Sequence, residues 1–242
     1  MNQSEGEPQY IPESSETERT RGREISVYLF RHGQAIYESP EDFEGRLTGQ
    51  GRLQAQKATE DLFKSLEDGE TVVFYVSPIS RAQETAEIMQ ENLQSLAEKN
   101  RKTIKFLAPR TKQALRDVIV KDPTFVAKLF ESGEKDVVGR WFEIGEKHPE
   151  KAETPKAVSR RFINLLSRFN RLSKRLASGP KINFIGITHE EVPALLAEFS
   201  DFPDSGPVRL DNCESMRIDF NGREKSIPKL RFRNRDYQLK LE

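Results

Sequence analysis

The sequence predicts an α/β fold built on a mostly parallel β-sheet with helices on both faces. Continuous β-rich apolar runs at Ile25 to Phe30, Thr71 to Val76 and Lys181 to Thr188 are typical of buried parallel strands. Amphipathic helical patterns separate these runs, as the connections between parallel strands require. Polar side chains follow the same runs directly, at the sheet edge where folds of this class bind ligands.

The first half of the chain supplies two predicted helices and one more strand. A helix over Gly51 to Leu66 is predicted from an apolar stripe made of Leu53, Ala58, Leu62, Phe63 and Leu66. A second amphipathic helix is predicted from about Ser80 to Glu98. The run TIKFLA, from Thr103 to Ala108, is a further strand candidate.

The second half begins with an irregular stretch from Gln113 to Glu153. Its elements are a short strand or turn at ALRDVIV, a helix after Asp122-Pro123 and a polar segment in which Trp141 is expected to be a structural anchor. Arg140 is a candidate for substrate contact.

Three further elements follow this stretch. Thr154 as N-cap and Pro155 at the first helical position predict a long helix to about Ser178. A helix from about Val192 to Phe199 follows the strand that ends at Thr188. Glu214 to Phe220 and Lys229 to Phe232 are predicted to be edge strands.

The organisation predicted is a disordered tail over residues 1–24 and a single domain over residues 25–242, with an insert at about 113–153. Ser, Glu, Pro, Gln and Arg dominate the tail, and few of its residues are of the kind that a core buries. A chain of 242 residues is long enough for one sizeable α/β core.

Composition narrows the classes of partner. The 39 Lys and Arg residues balance 39 Asp and Glu residues, so no global field attracts the chain to nucleic acid or to an anionic membrane. No signal peptide is apparent, and no apolar run approaches the roughly 18 to 20 residues of a membrane span. One cysteine, Cys213, fits a reducing compartment. We therefore expect a cytoplasmic protein with no nucleic-acid and no membrane partner.

Two of the three histidines follow predicted strands directly. His32 comes after the first strand and His189 after the last long one, while His148 lies in the polar stretch EKHPEK and is expected to be solvated. Arg31 and Arg81 fall at the same sheet edge. The planar fork of arginine suits phosphate, and phosphoryl transfer needs little beyond positioned positive charge and an in-line nucleophile.

This constellation predicts His32 as a nucleophile and Arg31, Arg81 and His189 as phosphate ligands. Nearby guanidinium groups keep an imidazole neutral, which is its nucleophilic form. The second ring nitrogen of His32 is expected to donate to a backbone carbonyl. His189 would bond the equatorial oxygens, as a preorganised donor worth roughly 3 to 4 kcal/mol. Gly33 would let the backbone approach the ligand.

Four segments resemble the histidine phosphatase superfamily, also called phosphoglycerate mutase-like. They are LFRHG (Leu29 to Gly33), LTGQGRLQA (Leu47 to Ala55), VSPISRAQETA (Val76 to Ala86) and GITHE (Gly186 to Glu190), and the resemblance spans roughly residues 25–220. It implies a three-layer α/β/α sandwich, a phosphohistidine intermediate at His32, and a phosphate pocket of Arg31, Arg81 and His189. It implies neither a metal nor another cofactor.

The resemblance leaves two candidates for the proton donor to the leaving group. The mutase-like branch uses an acid in an L-x-E element, which corresponds here to Asp117 in Leu115-Arg116-Asp117. The acid-phosphatase branch uses an acid directly after the second histidine, which corresponds to Glu190. Either carboxyl would need its pKa raised by burial.

Departures from the family pattern favour a phosphatase over a mutase. Sugar-phosphate mutases carry an Asn about six residues beyond the nucleophile and a Ser-Gly soon afterwards, where this chain has Glu38 and Glu44-Gly45. Two acids near the entrance would repel a bisphosphorylated intermediate. The expected substrate is a small phosphorylated molecule or a phosphoprotein. A phosphomutase and a catalytically inactive phosphate-binding regulatory module are the alternatives, and the sequence does not predict the oligomeric state.

Overall fold

The computed structural model describes residues 22–38, 42, 44–125, 137–201, 209–223 and 225–241. Most of the predicted tail and the middle of the predicted insert lie outside these residues, including most of the helix predicted after Asp122-Pro123. Within the described part, no helix combines the length and the apolar character that crossing a membrane requires.

The strands and helices alternate from Ile25 onward. The strands are β1 (Ile25–Arg31), β2 (Ala35–Ile36), β3 (Arg46–Leu47), β4 (Thr71–Val76), β5 (Lys105–Thr111), β6 (Ile182–Thr188), β7 (Ser215–Phe220), β8 (Lys229–Phe232) and β9 (Arg235–Gln238). The α-helices are α1 (Gly49–Ser65), α2 (Ser80–Lys99), α3 (Val137–Ile144), α4 (Pro155–Arg175) and α5 (Glu191–Ala194). Short 3₁₀ helices cover Gln113–Leu115, Gly145–Lys147 and Leu195–Phe199.

Seven strands form one sheet in the order β5-β4-β6-β1-β7-β8-β9. β5, β4, β6 and β1 pair in parallel, whereas β7, β8 and β9 continue the sheet antiparallel from β1. β2 and β3 form a separate two-stranded ribbon. The predicted α/β class with a mostly parallel sheet is confirmed.

Helices cover both faces of the sheet because alternate residues of the central strands point to opposite sides. Val27 and Leu29 of β1 belong to the core cluster that includes α4, while Tyr28 and Phe30 belong to the cluster that includes α1 and α2. The continuous apolar sequence of β1 therefore serves two cores at once, as a strand buried on both faces must.

Two helices begin at side chains that cap them. Thr48 accepts a hydrogen bond from the amide of Gly51 at the start of α1, and Thr154 accepts one from the amide of Ala157 at the start of α4. The stripe predicted for α1 is wrong at one position, because Leu53 is 59% exposed. Ala55, not Leu53, lies in the core on that turn of the helix.

The late strands differ from the prediction. Neither predicted segment is an edge strand, since β7 pairs with β1 and β8, and β8 pairs with β7 and β9. The edge belongs to β9, which the apolar pattern did not reveal. The helix predicted from Val192 is one turn of α-helix followed by a 3₁₀ helix.

The described parts of the predicted insert pack on the domain through α3. Trp141 is buried, and its indole N–H donates to the carbonyl of Glu153 at 3.0 Å, as expected for a structural anchor. Val120 and Ala152 form an isolated β-bridge that joins the two ends of the segment. Arg140 forms an ion pair with Glu143 of its own helix.

Candidate active site

The sheet brings the polar residues of three strand ends together. Arg31 at the end of β1 lies in register with Thr188 at the end of β6. The amide of His32 donates to the carbonyl of Thr188 at 3.0 Å, and the amide of Ser77, just after β4, donates to the carbonyl of Ile187 at 3.0 Å. Because these strands are parallel neighbours, His32, Ser77 and His189 lie side by side at one edge.

Arg81, in the first turn of α2, is the hub of this edge. Its Nε donates to Nε2 of His32 at 3.0 Å, and its Nη1 donates to the carbonyl of Glu44 at 2.9 Å. Its Nη2 contacts Nδ1 of His189 at 3.0 Å and forms a close ion pair with Oδ2 of Asp117. The side chain is buried, so this fork is held in one arrangement.

The hydrogen bonds of His32 fix its tautomer. Nδ1 lies 2.8 Å from the carbonyl of Gly33, which can only accept, so Nδ1 carries the proton. Nε2 accepts from Arg81 and keeps its lone pair. Burial, followed by the charges of His189, Arg81 and Arg31, holds the pKa of this imidazole well below its usual value. The ring is therefore neutral and can act as a nucleophile through Nε2.

His189 is fully buried beside His32, with the two ring centroids 5.2 Å apart. Nε2 of His189 lies 2.8 Å from the hydroxyl of Ser77, and Nδ1 faces Arg81. Burial, with Arg81 and Arg161 next in importance, lowers the pKa of His189 well below the usual value. This imidazole is neutral, and the Ser77 hydroxyl can either donate to it or accept from it.

Arg31 borders the site from β1. Nη1 donates to the carbonyl of Leu210 at 2.8 Å, and Nη2 forms an ion pair with Oε2 of Glu190 at 2.9 Å. Oε1 of Glu190 is bound by Arg209 at 2.5 Å. Nε of Arg31 is buried and has no hydrogen-bond partner among the described residues. An anion bound beside it would satisfy this donor.

Asp117 reaches the site from the loop after β5. The hydroxyl of Thr188 donates to the carbonyl of Leu115 at 2.8 Å, which ties this loop to the end of β6. Oδ2 of Asp117 pairs with Arg81 and lies 3.8 Å from Nδ1 of His189. The structure thus brings the six predicted site residues to one edge of the sheet in two groups. Arg81 links His32, His189 and Asp117, and Arg31 pairs with Glu190.

Gly33 is required by packing between two motifs. A side chain at Gly33 would place its Cβ 2.5 Å from the carbonyl oxygen of Gly51, and one at Gly51 would lie 2.1 Å from the carbonyl oxygen of Gln34. The amide of Gly33 also donates to the hydroxyl of Thr85 in α2. Gly33 was predicted to let the backbone approach the ligand. In the structure it approaches the start of α1 instead.

The two acids predicted to guard the entrance differ in their surroundings. The carboxylate of Glu44 accepts from both the amide and the hydroxyl of Ser80, at 2.8 and 2.7 Å. These bonds lower the pKa of Glu44 and hold its carboxylate at the start of α2. The amide of Glu38 donates to Asp42, and its side chain is exposed.

Two residues near the site were not singled out from the sequence. The ring of Tyr37 lies with its centroid 5.5 Å from the guanidinium carbon of Arg81. Glu191, two positions after His189, has a buried Oε2 with no hydrogen-bond partner among the described residues. The sequence GITHEE places two acids directly after His189, which indicates an acid near the site but does not tell Glu190 from Glu191. Over the described part of the chain, no group of three or more His, Cys, Asp or Glu side chains could hold a metal ion.

Comparison with known structures shows the same fold. A mycobacterial glucosyl-3-phosphoglycerate phosphatase is 20% identical, with a TM-score of 0.57 over 81% of this chain and 91% of that one. A proposed alpha-ribazole-5'-P phosphatase from Escherichia coli is 19% identical, with a TM-score of 0.56 over 86% and 95% of the two chains. YhfR of Bacillus stearothermophilus is 18% identical, with a TM-score of 0.56 over 80% and 90%.

Sequence comparison is more decisive at the level of the family. No curated protein sequence matches the chain significantly. The sequence profile of the histidine phosphatase superfamily (branch 1) matches residues 27–232, a range that contains every predicted site residue. The chain therefore belongs to the histidine phosphatase superfamily.

Proposed function

We propose that this protein is a phosphatase that hydrolyses a phosphomonoester through a phosphohistidine at Nε2 of His32. The observation that carries this proposal is the pair of bonds on the His32 ring. The Gly33 carbonyl holds the proton on Nδ1, while Arg81, a phosphate ligand by its chemistry, already stands at the lone pair of Nε2. Nucleophile and cation are thus assembled before the substrate arrives.

The phosphate would bind between the arginines and the two histidines. Its oxygens would take up donors of Arg81, the unpartnered Nε of Arg31 and one ring nitrogen of His189. Nε2 of His32 then attacks phosphorus as the bond to the leaving oxygen breaks. Water cleaves the phosphohistidine in the second half of the reaction, releasing phosphate. The protein groups supply position and charge, which is what phosphoryl transfer requires.

Asp117 and Glu190 were predicted as rival proton donors, and they contact different groups of the site. Asp117 contacts Arg81 and lies near His189, whereas Glu190 is held between Arg31 and Arg209. Asp117 and the nucleophile His32 therefore share Arg81 as a hydrogen-bond partner. We propose that its position serves the transfer step, either as donor or by orienting Arg81.

Hydrolysis rather than mutase chemistry is supported by two observations. Two of the similar structures are phosphatases by name, one of them for glucosyl-3-phosphoglycerate and one proposed for alpha-ribazole-5'-P. Glu44 stands beside Arg81 with its carboxylate held by Ser80, and this negative charge would repel a bisphosphorylated intermediate of the mutase reaction. We propose a small phosphorylated molecule or a phosphoprotein as substrate.

The test is turnover of p-nitrophenyl phosphate by the purified protein, with and without EDTA, beside a His32→Asn variant. We expect release of phosphate that survives EDTA and is lost in the variant. Equal inactivity of both proteins over a broad panel of phosphate esters would favour a binding module. Movement of phosphate between positions of a sugar acid, without free phosphate, would favour a mutase. Loss of turnover in EDTA would remove the metal-independent mechanism.

A further inference from the structure

Asp117, Glu190 and Glu191 are the candidate acids near the reacting groups, and the first two use both oxygens as acceptors. Oδ2 of Asp117 accepts from Arg81 and Oδ1 accepts from the amide of Val118 at 2.7 Å. Oε1 and Oε2 of Glu190 are bound by Arg209 and Arg31. In this arrangement each oxygen of both groups already contacts a cation or accepts from a backbone amide.

Glu191 is different from both. Its Oε2 is inaccessible to water and has no hydrogen-bond partner in the part of the chain that the structure describes. At that oxygen an ionised carboxylate would have no described donor to compensate its burial, which favours the neutral acid. A protonated carboxyl also turns one oxygen from an acceptor into a donor, which is what proton delivery needs.

Glu191 is the first residue of α5 and lies two positions after His189, next to the Glu190 that pairs with Arg31. The groups whose charges act on it are Asp117 from the loop after β5, Arg81 from α2 and Glu190 from the end of β6. The ring of Tyr37 packs on Arg81. Partial burial, followed by the charges of Asp117 and Glu191, raises the pKa of its hydroxyl. Burial first, and the neighbouring charge of Asp117 second, raise the pKa of Glu191 to about 8.

We propose that Glu191 is the catalytic acid that protonates the leaving oxygen, in place of the two carboxyls predicted from the sequence. As the bond between Nε2 of His32 and phosphorus forms, the bond from phosphorus to the leaving oxygen breaks, and the carboxyl proton of Glu191 moves to that oxygen. The resulting carboxylate takes a proton from the water that attacks the phosphohistidine, which restores the acid. Asp117 then acts by holding Arg81. This inference rests on the proposed phosphatase activity.

The experiment compares Glu191→Gln with wild type on two aryl phosphates that differ in leaving group. 2,4-Dinitrophenyl phosphate releases a stable anion and needs no proton, whereas phenyl phosphate needs one. We expect Glu191→Gln to lose about 10²-fold or more in kcat on phenyl phosphate but only a few-fold on the dinitrophenyl ester. Activity on the dinitrophenyl ester also shows that the variant is folded. Asp117→Asn and Glu190→Gln should lose activity on both esters alike, and Glu143→Gln on the surface of α3 is the control.

The wild-type protein gives a second reading that does not depend on any variant. The kcat for phenyl phosphate should fall as the pH rises through about 8, because the acid loses its proton there. This fall should be absent for the dinitrophenyl ester. Equal losses on both esters in Glu191→Gln, or a selective loss in Asp117→Asn, would overturn the assignment. If neither ester is hydrolysed by wild type, the proposed function itself fails.

Discussion

Nε of Arg81 donates to Nε2 of His32 at 3.0 Å, so the cation that would bind phosphate touches the atom that would attack it. The contact depends on geometry that the fold supplies. His32 follows β1, whereas Arg81 lies in the first turn of α2, which follows β4, and β6 lies between these two strands. The other contacts of Arg81 use its two terminal nitrogens, Nη1 to the carbonyl of Glu44 and Nη2 to Asp117 and His189. A substrate phosphate can replace the bond to His32 while the remaining bonds hold the guanidinium in place.

Replacing Arg81 by lysine should therefore lower the activity strongly, although the positive charge is kept. Lysine keeps the positive charge but cannot reproduce the fork that joins Glu44, Asp117 and His32. We expect kcat/KM for p-nitrophenyl phosphate to fall about 10² to 10³-fold in Arg81→Lys. Arg231→Lys, at an exposed position of β8, is the matched control. A loss below tenfold would show that charge alone suffices.

The two buried imidazoles should make the folded state sensitive to acid. Their pKa values are held well below that of an exposed histidine, chiefly by burial. Below about pH 6.5 these imidazoles bind protons in the unfolded chain but stay neutral in the folded chain. The free energy of unfolding is therefore highest above that pH and falls as the pH drops. Each imidazole can contribute about 1.4 kcal/mol per pH unit to this fall.

Urea unfolding at pH 7.5, 6.5 and 5.5 measures this slope. His32→Asn should show a shallower decline in the free energy of unfolding than wild type, because the variant lacks one imidazole that is protonated only in the unfolded chain. His148→Asn removes a partly exposed imidazole that pairs with Glu150. It is the control at a partly exposed position, and an equal change of slope in both variants would contradict the prediction.

The elements that position the site were predictable because their signals are local. The buried run of β1, the capping residue Thr154 and the polar residues after each strand all lie within short windows of the sequence. The parallel pairing of β4, β6 and β1 then follows from the alternation of strands and helices. That pairing alone places His32 beside His189.

The features that escaped prediction depend on contacts between distant residues. Glu190 and Glu191 are adjacent and chemically identical. Arg31 and Arg209 bind both oxygens of Glu190, whereas Oε2 of Glu191 has no partner among the described residues. No window of sequence contains that difference. Leu53 was assigned to the core because the helical period does not state which edge of the apolar stripe meets the sheet.

Strand β9 was missed because its sequence is mostly polar, although the turn before it carries a signal. Its sequence, Arg-Asp-Tyr-Gln, has one aromatic residue and three polar ones. The turn before it contains Arg233 and Asn234, both with positive φ, at 48° and 61°. Two such residues form the tight turn of a β-hairpin, for which Asn is a favoured residue. The turn therefore indicates the hairpin better than the strand does.

Arg161 should act on the site from a distance by holding the Asp117 loop. Its guanidinium donates to the carboxylate of Glu153 and to four backbone carbonyls, those of Gln113, Ala114, Arg116 and Asp117. Arg161→Met would leave the Glu153 carboxylate and these carbonyls without their donor. We expect a loss of about 3 kcal/mol in the free energy of unfolding, as for other largely buried pairs that lose one partner.

The effect of Arg161 on activity separates positioning from plain destabilisation. At a temperature where the variant is folded, kcat should fall because Asp117 no longer holds Arg81 in register. Arg160→Met, at the exposed neighbouring position, is the control for both measurements. Unchanged kcat in folded Arg161→Met would mean that the loop keeps its place without the guanidinium.

Ser77 should control the tautomer of His189. Its hydroxyl lies 2.8 Å from Nε2 of His189, and in the ligand-free arrangement Arg81 points a donor at Nδ1, so Nε2 carries the proton. For His189 to donate from Nδ1 to a bound phosphate, the proton must change nitrogen, and the Ser77 hydroxyl must then donate to Nε2. Ser77→Ala removes the only described group at Nε2 that can serve both states.

We expect Ser77→Ala to lower kcat about tenfold, equivalent to the roughly 1.4 kcal/mol of a buried hydrogen bond. KM should change less, since Arg31 and Arg81 still bind the phosphate. Nitrogen-15 NMR of His189 with and without vanadate reports the tautomer directly, and the change on binding should be lost in the variant. Ser173→Ala, a buried serine of α4 that bonds the carbonyl of Asn170, controls for the loss of a hydroxyl. A wild-type His189 that keeps the same tautomer in both states would contradict this role, because Ser77 would then have no switch to serve.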